Sequence, residues 1–353
     1  MPGAQASRAR VARRIATAAA YGGGGLGLVG VGVAGLLLTE SRLAIRAIGL
    51  LEGDAPRADG VYGDAFAEPG DARPPLRLAF LGDSTAAGLG VTRGQETPGA
   101  LLASGLASVA ERRVRLRNVA ASGARSSDLT RQVELAAPFH PELAVIMIGA
   151  NDVTRRSPAS QSVRQLGEAV LALRDLGCEV VVGTCPDLGT IKPVRPPLRW
   201  VARRVSRQLA AAQTIAVVEC GGRTVSLGSL LGPEFAARPE MFAADRYHPS
   251  AQGYATAAMA LLPSLCAALD LWPAETVPSV PVQGDAVLPV AVAAAAAAGQ
   301  SGTEVVAVGP DGARRWAQLR HRLRLGLPGA GSAPEPESAS ANSHPGAGDA
   351  GAT

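Results

Sequence analysis

Aromatic side chains make up only 3% of these 353 residues, so the chain has little surface on which bases could stack, and nucleic acid is excluded as the expected partner. Histidine and cysteine are equally sparse, four of each. The cysteines, Cys178, Cys185, Cys220 and Cys266, form no CxxC pair and do not cluster with histidines, which excludes a zinc site; neither a metal nor another cofactor is expected. Buried thiols are the expectation, with Cys185 and Cys220 the one pair whose predicted strands allow an approach. Lysine is nearly absent, so the net charge of +4 comes almost wholly from arginine. The arginines gather near the N-terminus, around 195–207 and around 314–324, a pattern that suits an anionic membrane surface better than a DNA groove.

What the chain does have is Gly, Ala, Val and Leu, enough to build one well-filled core. Arg8, Arg10, Arg13 and Arg14 precede an uncharged stretch from Ile15 to Thr39, long enough to cross a bilayer as a helix. No small-x-small cleavage site followed by polar sequence closes that stretch, so it reads as an uncleaved single-pass anchor at the cell membrane. The arginine excess ahead of it puts the following domain on the extracytoplasmic side, although Arg42 and Arg46 oppose that orientation. A glycine-rich leader is the competing reading, since eight glycines lie between Gly22 and Gly35.

Residues 40–75, rich in Gly, Pro, Asp and Ala from Glu52 on, read as a linker. From 76 to 272 short apolar runs alternate with helix-sized segments. Strands are expected at Arg77–Gly82, Leu116–Ala120, Leu143–Gly149, Glu179–Thr184 and Ile215–Glu219. Helices are expected at Gly99–Glu111, Ser127–Ala137, Gln161–Leu176, Leu198–Ala212 and Ala251–Leu269. Such alternation implies a three-layer α/β/α domain on a five-stranded parallel sheet with right-handed crossovers. Residues 273–327 read as an Ala/Pro-rich extension, its alanine run a linker or loose helix, ending in a short basic helix over Arg314–Leu325. Residues 328–353 read as a disordered tail.

Four short segments fall at strand ends or at the entry to the last helix: Gly82-Asp83-Ser84, Ser122-Gly123, Gly149-Ala150-Asn151-Asp152 and Asp245-Arg246-Tyr247-His248. Each alone could be a turn or a cap. Together they hold a hydroxyl, a base and a carboxylate three residues before that base, at strand ends that a doubly wound sheet brings side by side. His248 is the base by elimination: His140 precedes a strand, at the wrong sheet end, and His321 and His344 lie outside the core.

This ordered set resembles the SGNH, or GDSL, hydrolase family. The resemblance covers Arg77 to about Leu269, with Gly-Asp-Ser-Thr in place of the usual Gly-Asp-Ser-Leu. It implies a flavodoxin-like fold, Ser84 as nucleophile, and His248 as base oriented by Asp245. It also implies an oxyanion hole made of the Ser84 and Gly123 backbone N–H groups and the Asn151 amide. The implied function is a lipase-like serine esterase that cleaves small-molecule, lipid or sugar esters through an acyl-Ser84 intermediate. An acyltransferase acting from the same site on an envelope sugar or lipid acceptor is the alternative, and a non-catalytic binding domain the third reading. Asp152 is expected to organise its loop and Asp83 to shape the turn beside Ser84.

Overall fold

The computed structural model describes residues 35, 36, 38–40, 42, 43, 54–67, 72–191, 193–228, 238–271, 286–300, 302–308 and 316–321. Nine strands form one sheet: β1 (Gly60–Tyr62), β2 (Leu76–Gly82), β3 (Val114–Asn118), β4 (Leu143–Met147), β5 (Glu179–Gly183), β6 (Arg223–Val225), β7 (Ala286–Pro289), β8 (Thr303–Ala307) and β9 (Trp316–His321). Their order is β1-β3-β2-β4-β5-β6-β8-β9-β7. From β3 to β6 neighbours run parallel, while β1 joins β3, and β8, β9 and β7 join β6 in turn, all antiparallel.

The expected five-stranded parallel sheet is therefore corrected to a nine-stranded mixed one. A parallel sheet leaves two unpaired edges, and here both are continued by chain from outside the expected domain. Ala58 is buried and β1 pairs with β3, so part of the expected linker belongs to the sheet. The expected extension supplies the other edge. Trp316–His321 is a strand, not a basic helix. Ala317 and Leu319 face the core while Gln318 and Arg320 between them are only partly covered, the period of two that a half-buried strand demands.

Eight helices cover the described sheet: α1 (Ser84–Ala87), α2 (Pro98–Ala110), α3 (Leu129–Ala136), α4 (Ala150–Thr154), α5 (Ala159–Asp175), α6 (Leu198–Glu219), α7 (Ala251–Ala268) and α8 (Val290–Ala297). Helix starts follow their caps. Thr97 accepts from the Ala100 amide ahead of Pro98 in α2, and Ser250 accepts from the Gly253 amide in α7. Leu78 and Phe80 of β2 pack with Leu102, Leu106, Leu261 and Leu265 on one face. Ala79 and Leu81 pack with Leu129, Leu166, Val170 and Leu173 on the other. These two cores make the three layers.

The predicted strand Ile215–Glu219 is the last part of α6. A short buried apolar run looks alike in a strand and in a covered helix, and no Gly or Pro interrupts the chain between Leu198 and Gly221. The strand follows instead at Arg223–Val225. The alanine run is not a linker: Ala293 and Ala297 of α8 are buried beside Val218, Val305 and Leu319. The expected anchor at 15–39 lies mostly outside the described residues. Gly35, Leu36, Leu38 and Thr39 are helical, and no described helix is long and apolar enough to cross a membrane. The tail at 328–353 also lies outside them.

If β9 belongs to the domain, truncating its inward Leu319 should cost what a core leucine costs. Leu319→Ala is expected to lower unfolding free energy by about 2–5 kcal/mol in a urea titration, whereas a loose extension would leave the midpoint unchanged.

Candidate active site

Ser84 opens α1 directly after β2. The turn that presents it is held at three points. Gly82 has φ +134, and a Cβ there would lie 1.9 Å from the Met147 carbonyl oxygen, so only glycine fits this approach of β2 to β4. Gln132 of α3 donates from Nε2 to the Gly82 carbonyl at 2.9 Å and accepts the Gly82 amide at 2.7 Å. Asp83 caps the helical turn, accepting the Thr85 amide at 2.9 Å. Ser84 is left 8% exposed at the rim.

His248 reaches that hydroxyl from 164 residues further along the chain. Its Nε2 lies 2.9 Å from Ser84 Oγ and its Nδ1 2.5 Å from Asp245 Oδ2. With the proton on Nδ1 donated to Asp245, Nε2 is left to accept from the hydroxyl. The other Asp245 oxygen accepts the Tyr247 and His248 amides, both at 3.0 Å, so the short loop is wound around its own carboxylate. Arg246 takes a left-handed conformation, φ +58, to allow this. An antiparallel bridge from Phe242 to Pro249 closes the base of the loop, and the Tyr247 ring meets the imidazole edge to face at 4.8 Å.

The two buried carboxylates respond in opposite directions. Burial alone would push Asp245 up, but hydrogen bonds from the His248 ring and from the Tyr247 and His248 amides, with the attraction of the ring, bring it below the ordinary carboxylate value. Asp83 lacks such compensation. Burial pushes it up to about 6, against the weaker pull of the Thr85 bonds and of His248, and nearby Asp152 adds to the rise.

Gly123 and Asn151 follow β3 and β4. Gly123 has φ +79, and among the described residues a Cβ there would find just the Arg155 guanidinium, 3.5 Å away, so little crowds its backbone. Asn151 donates to the Ala124 carbonyl at 3.1 Å through one N–H of its amide, which fixes the side chain and leaves a second N–H. Asp152 beside it is buried and accepts from the Ser126 amide and hydroxyl and from the Ser162 hydroxyl, the organising role expected of it. His140 sits ahead of β4, at the other sheet end.

Gln132 and Gln213 escape a search for chemistry. Gln213 of α6 accepts the Cys185 amide at 2.8 Å and donates to the Ile148 carbonyl at 3.1 Å, tying the ends of β4 and β5. Both glutamines take positions where the apolar stripe of their helix calls for a core residue, between Leu129 and Val133 and between Leu209 and Val217. That misplaced polarity was the available signal. Cys178 and Cys185 are buried free thiols, raised by burial, Cys178 to about 12. Cys185 packs against Gly149 while Cys220 packs against Gly167, so the two do not meet.

A largely apolar cavity of about 50 Å³ adjoins the site, room for about four water-sized groups. Both chain neighbours of Ser84, Asp83 and Thr85, line it, with Ile148, Leu188, Ile191 and Ala257 among the others. No group of His, Cys, Asp and Glu among the described residues could hold a metal ion.

The sequence pattern of the GDSL-like Lipase/Acylhydrolase family matches residues 80–256. A GDSL-like esterase of Mycobacterium tuberculosis is 46% identical over 238 residues, which are 64% of this chain and 75% of that protein. An acetylxylan esterase from Geobacillus stearothermophilus is 23% identical, with a TM-score of 0.44 over 54% of this chain and 94% of that one. TesA is 25% identical, with a TM-score of 0.43 over 56% of this chain and 100% of that one.

Because Asp83 is raised in the folded chain, its ionised form opposes folding. That penalty is full above about pH 6 and fades as pH falls toward the ordinary value of 3.8. Asp245 runs the other way: its contribution is present above the ordinary carboxylate value and lost as pH falls through its lowered one. Unfolding followed from pH 7 to pH 4 should therefore show a gain in stability of up to about 3 kcal/mol from Asp83. Asp83→Asn, which keeps a capping oxygen, is expected to flatten that gain.

Proposed function

The chain belongs to the GDSL-like lipase/acylhydrolase family, and on that premise we propose that it is a serine esterase that hydrolyses carboxylic esters through an acyl-enzyme on Ser84. The observation that carries the reading is the continuous hydrogen-bonded chain from Ser84 Oγ through the His248 ring to Asp245. A serine hydroxyl is a weak nucleophile until a base removes its proton, and a base works best when a third group fixes its tautomer.

In this mechanism His248 Nε2 takes the Ser84 proton as Oγ attacks the ester carbonyl carbon. The carbonyl π pair moves onto oxygen. The Ser84 and Gly123 amides and the second N–H of Asn151 stabilise that oxyanion without a buried cation. Collapse expels the alcohol, which takes the proton back from Nε2, and the acyl group remains on Ser84. Water then gives its proton to His248 and attacks the acyl carbon. The carboxylic acid leaves, and Ser84 Oγ recovers the proton. Asp245 holds the ring and stabilises the imidazolium at each transfer.

The acyl group is assigned to the adjoining cavity, whose walls are apolar beside the nucleophile. The similar protein from Mycobacterium tuberculosis carries an esterase name, which supports water as acceptor; the acyltransferase reading has no comparable support.

Ser84→Ala should lower kcat on short-chain aryl esters by about four orders of magnitude or more with an unchanged urea midpoint, and retention of turnover would overturn the nucleophile. Asn151→Ala should cost about 100-fold to 1,000-fold in kcat. Ala257→Leu, which fills the cavity, should lower kcat/KM for hexanoate esters about tenfold more than for acetate esters; equal losses would remove the cavity from acyl recognition.

A further inference from the structure

The N-terminal half of α6 carries a face that its own fold does not use. Ala202, Ser206, Leu209 and Gln213 point inward, whereas Trp200 is 66% exposed, with Val201 and Val205 exposed beside it. Trp200, Val201, Arg204, Val205 and Gln208 share one helical surface, Trp200–Arg204–Gln208 and Val201–Val205 each four residues apart. A solvent-facing tryptophan next to two valines has no folding rationale, because burying that apolar area would be favourable.

Charge around this face has one sign. Between Leu188 and Val218 the sequence holds Lys192, Arg195, Arg199, Arg203, Arg204 and Arg207 and no acidic residue. Asp187 pairs with Arg203 and Arg207. Among the described residues no carboxylate pairs with Arg195 or Arg204, both exposed. Tryptophan, aliphatic side chains and arginines on one helix surface match the water boundary of an anionic bilayer.

A second element lies at the same place. Glu40 accepts the Leu198 amide at 3.0 Å, satisfying a donor at the start of α6 that Pro197 cannot cap. Leu36, Leu38 and Leu43, on the helical residues around Glu40, are exposed as well. Glu40 is also the first charged residue after the uncharged stretch Ile15–Thr39. The apolar segment of the sequence thus ends at the residue that meets the start of α6.

We propose that the exposed face of α6 around Trp200, together with the leucines flanking Glu40, seats the domain on an anionic lipid bilayer. Arg204 and Arg195 contact headgroup phosphates, and Trp200, Val201 and Val205 enter the boundary with the acyl chains. The inner arginines of the same helix hold Asp187, at the start of the loop whose Leu188 and Ile191 wall the cavity. Seating through this face brings that wall to the lipid surface. The proposal does not depend on the esterase reading.

Full-length protein would be mixed with vesicles containing brominated acyl chains, made of phosphatidylcholine alone or with phosphatidylglycerol. Bromine quenches tryptophan at the boundary. Of the three tryptophans, Trp200 is expected to account for most of the quenching, so Trp200→Phe should lose most of it. Arg195→Glu with Arg204→Glu should remove the excess seen with phosphatidylglycerol. Hydrolysis of a soluble aryl ester should stay unchanged in both variants, which separates this test from that of the active site. Equal quenching in wild type and Trp200→Phe overturns the proposal. So does a doubled mass in the absence of lipid that Trp200→Phe abolishes, since the face would then belong to a second copy.

Discussion

Everything at the site depends on one contact, the 2.9 Å approach of His248 Nε2 to Ser84 Oγ across 164 residues of sequence. Neither residue is held by its own segment alone. Ser84 is fixed because β2 ends in a turn pinned to β4 by the Asp83 amide on the Met147 carbonyl and to α3 by Gln132. His248 is fixed because Asp245 gathers two backbone amides and the ring while the start of α7 anchors the chain beyond it. Tyr254 of α7 closes the circuit, its hydroxyl donating to the Leu89 carbonyl at 2.6 Å, just past α1. The helix after His248 is thereby tied to the turn after Ser84. Preorganisation here is a property of the carboxyl ends of the parallel strands as a whole.

Buried polar groups supply that rigidity at a definite cost. Gln132 and Gln213 each place an amide inside the core, and each uses both ends of it to pair backbone groups at strand termini that have run out of ladder partners. Asp152 does the same for Ser126 and Ser162. An apolar side chain would pack at these positions yet leave amides and carbonyls unpaired, at about 1–3 kcal/mol each. Asp83 is the exception, a buried carboxyl that burial raises to about 6 against the weaker pull of its Thr85 bonds and of His248. The turn that presents Ser84 thus holds its carboxyl above the ordinary range, while the loop that presents His248 holds its own below it.

The cluster of Ser84, His248 and Asp245 was more legible in the sequence than the sheet. Ser84, Gly123, Asn151, Asp245 and His248 could be named because turn residues that also carry chemistry recur at the ends of apolar runs, and four such segments in order are hard to obtain from turns alone. The strands at 79–82, 143–147 and 179–183 were legible because parallel strands buried on both faces are continuously apolar. The same rule misled at Ile215–Glu219, where a helix is covered on its inner side by the sheet and on another by α8. The edges failed for a different reason. Edge strands are short and half exposed, and their partners lie far off in sequence: Thr224 of β6 meets Val305 of β8, and Leu116 of β3 meets Gly60 of β1. No local period announces a pairing of that kind; only β9, with its alternation of Ala317, Gln318, Leu319 and Arg320, carried a readable one.

Composition then explains why α6 is the element on which several functions converge. A chain with few aromatic residues fills its core with small aliphatic groups, so helices lie close to the sheet, and a long helix can spare its outer face. On the inner face of α6, Gln213 ties β4 to β5 and Ser206 accepts the Leu188 amide. On its flank Arg203 and Arg207 neutralise Asp187, which is buried and would otherwise be an uncompensated charge at the cavity wall. Removing those arginines would disturb the cavity first, because Asp187 also caps the turn at Gly189. Arg195 and Arg204 carry no such duty, and Trp200 none in the core. Arg203 and Arg207 are thus required by the fold and Arg199 donates to the Val194 carbonyl at 2.8 Å, whereas Arg195 and Arg204, exposed and without a carboxylate partner among the described residues, lie before and after the exposed Trp200 in the chain. A pattern set only by solubility would not sort its cations in that way.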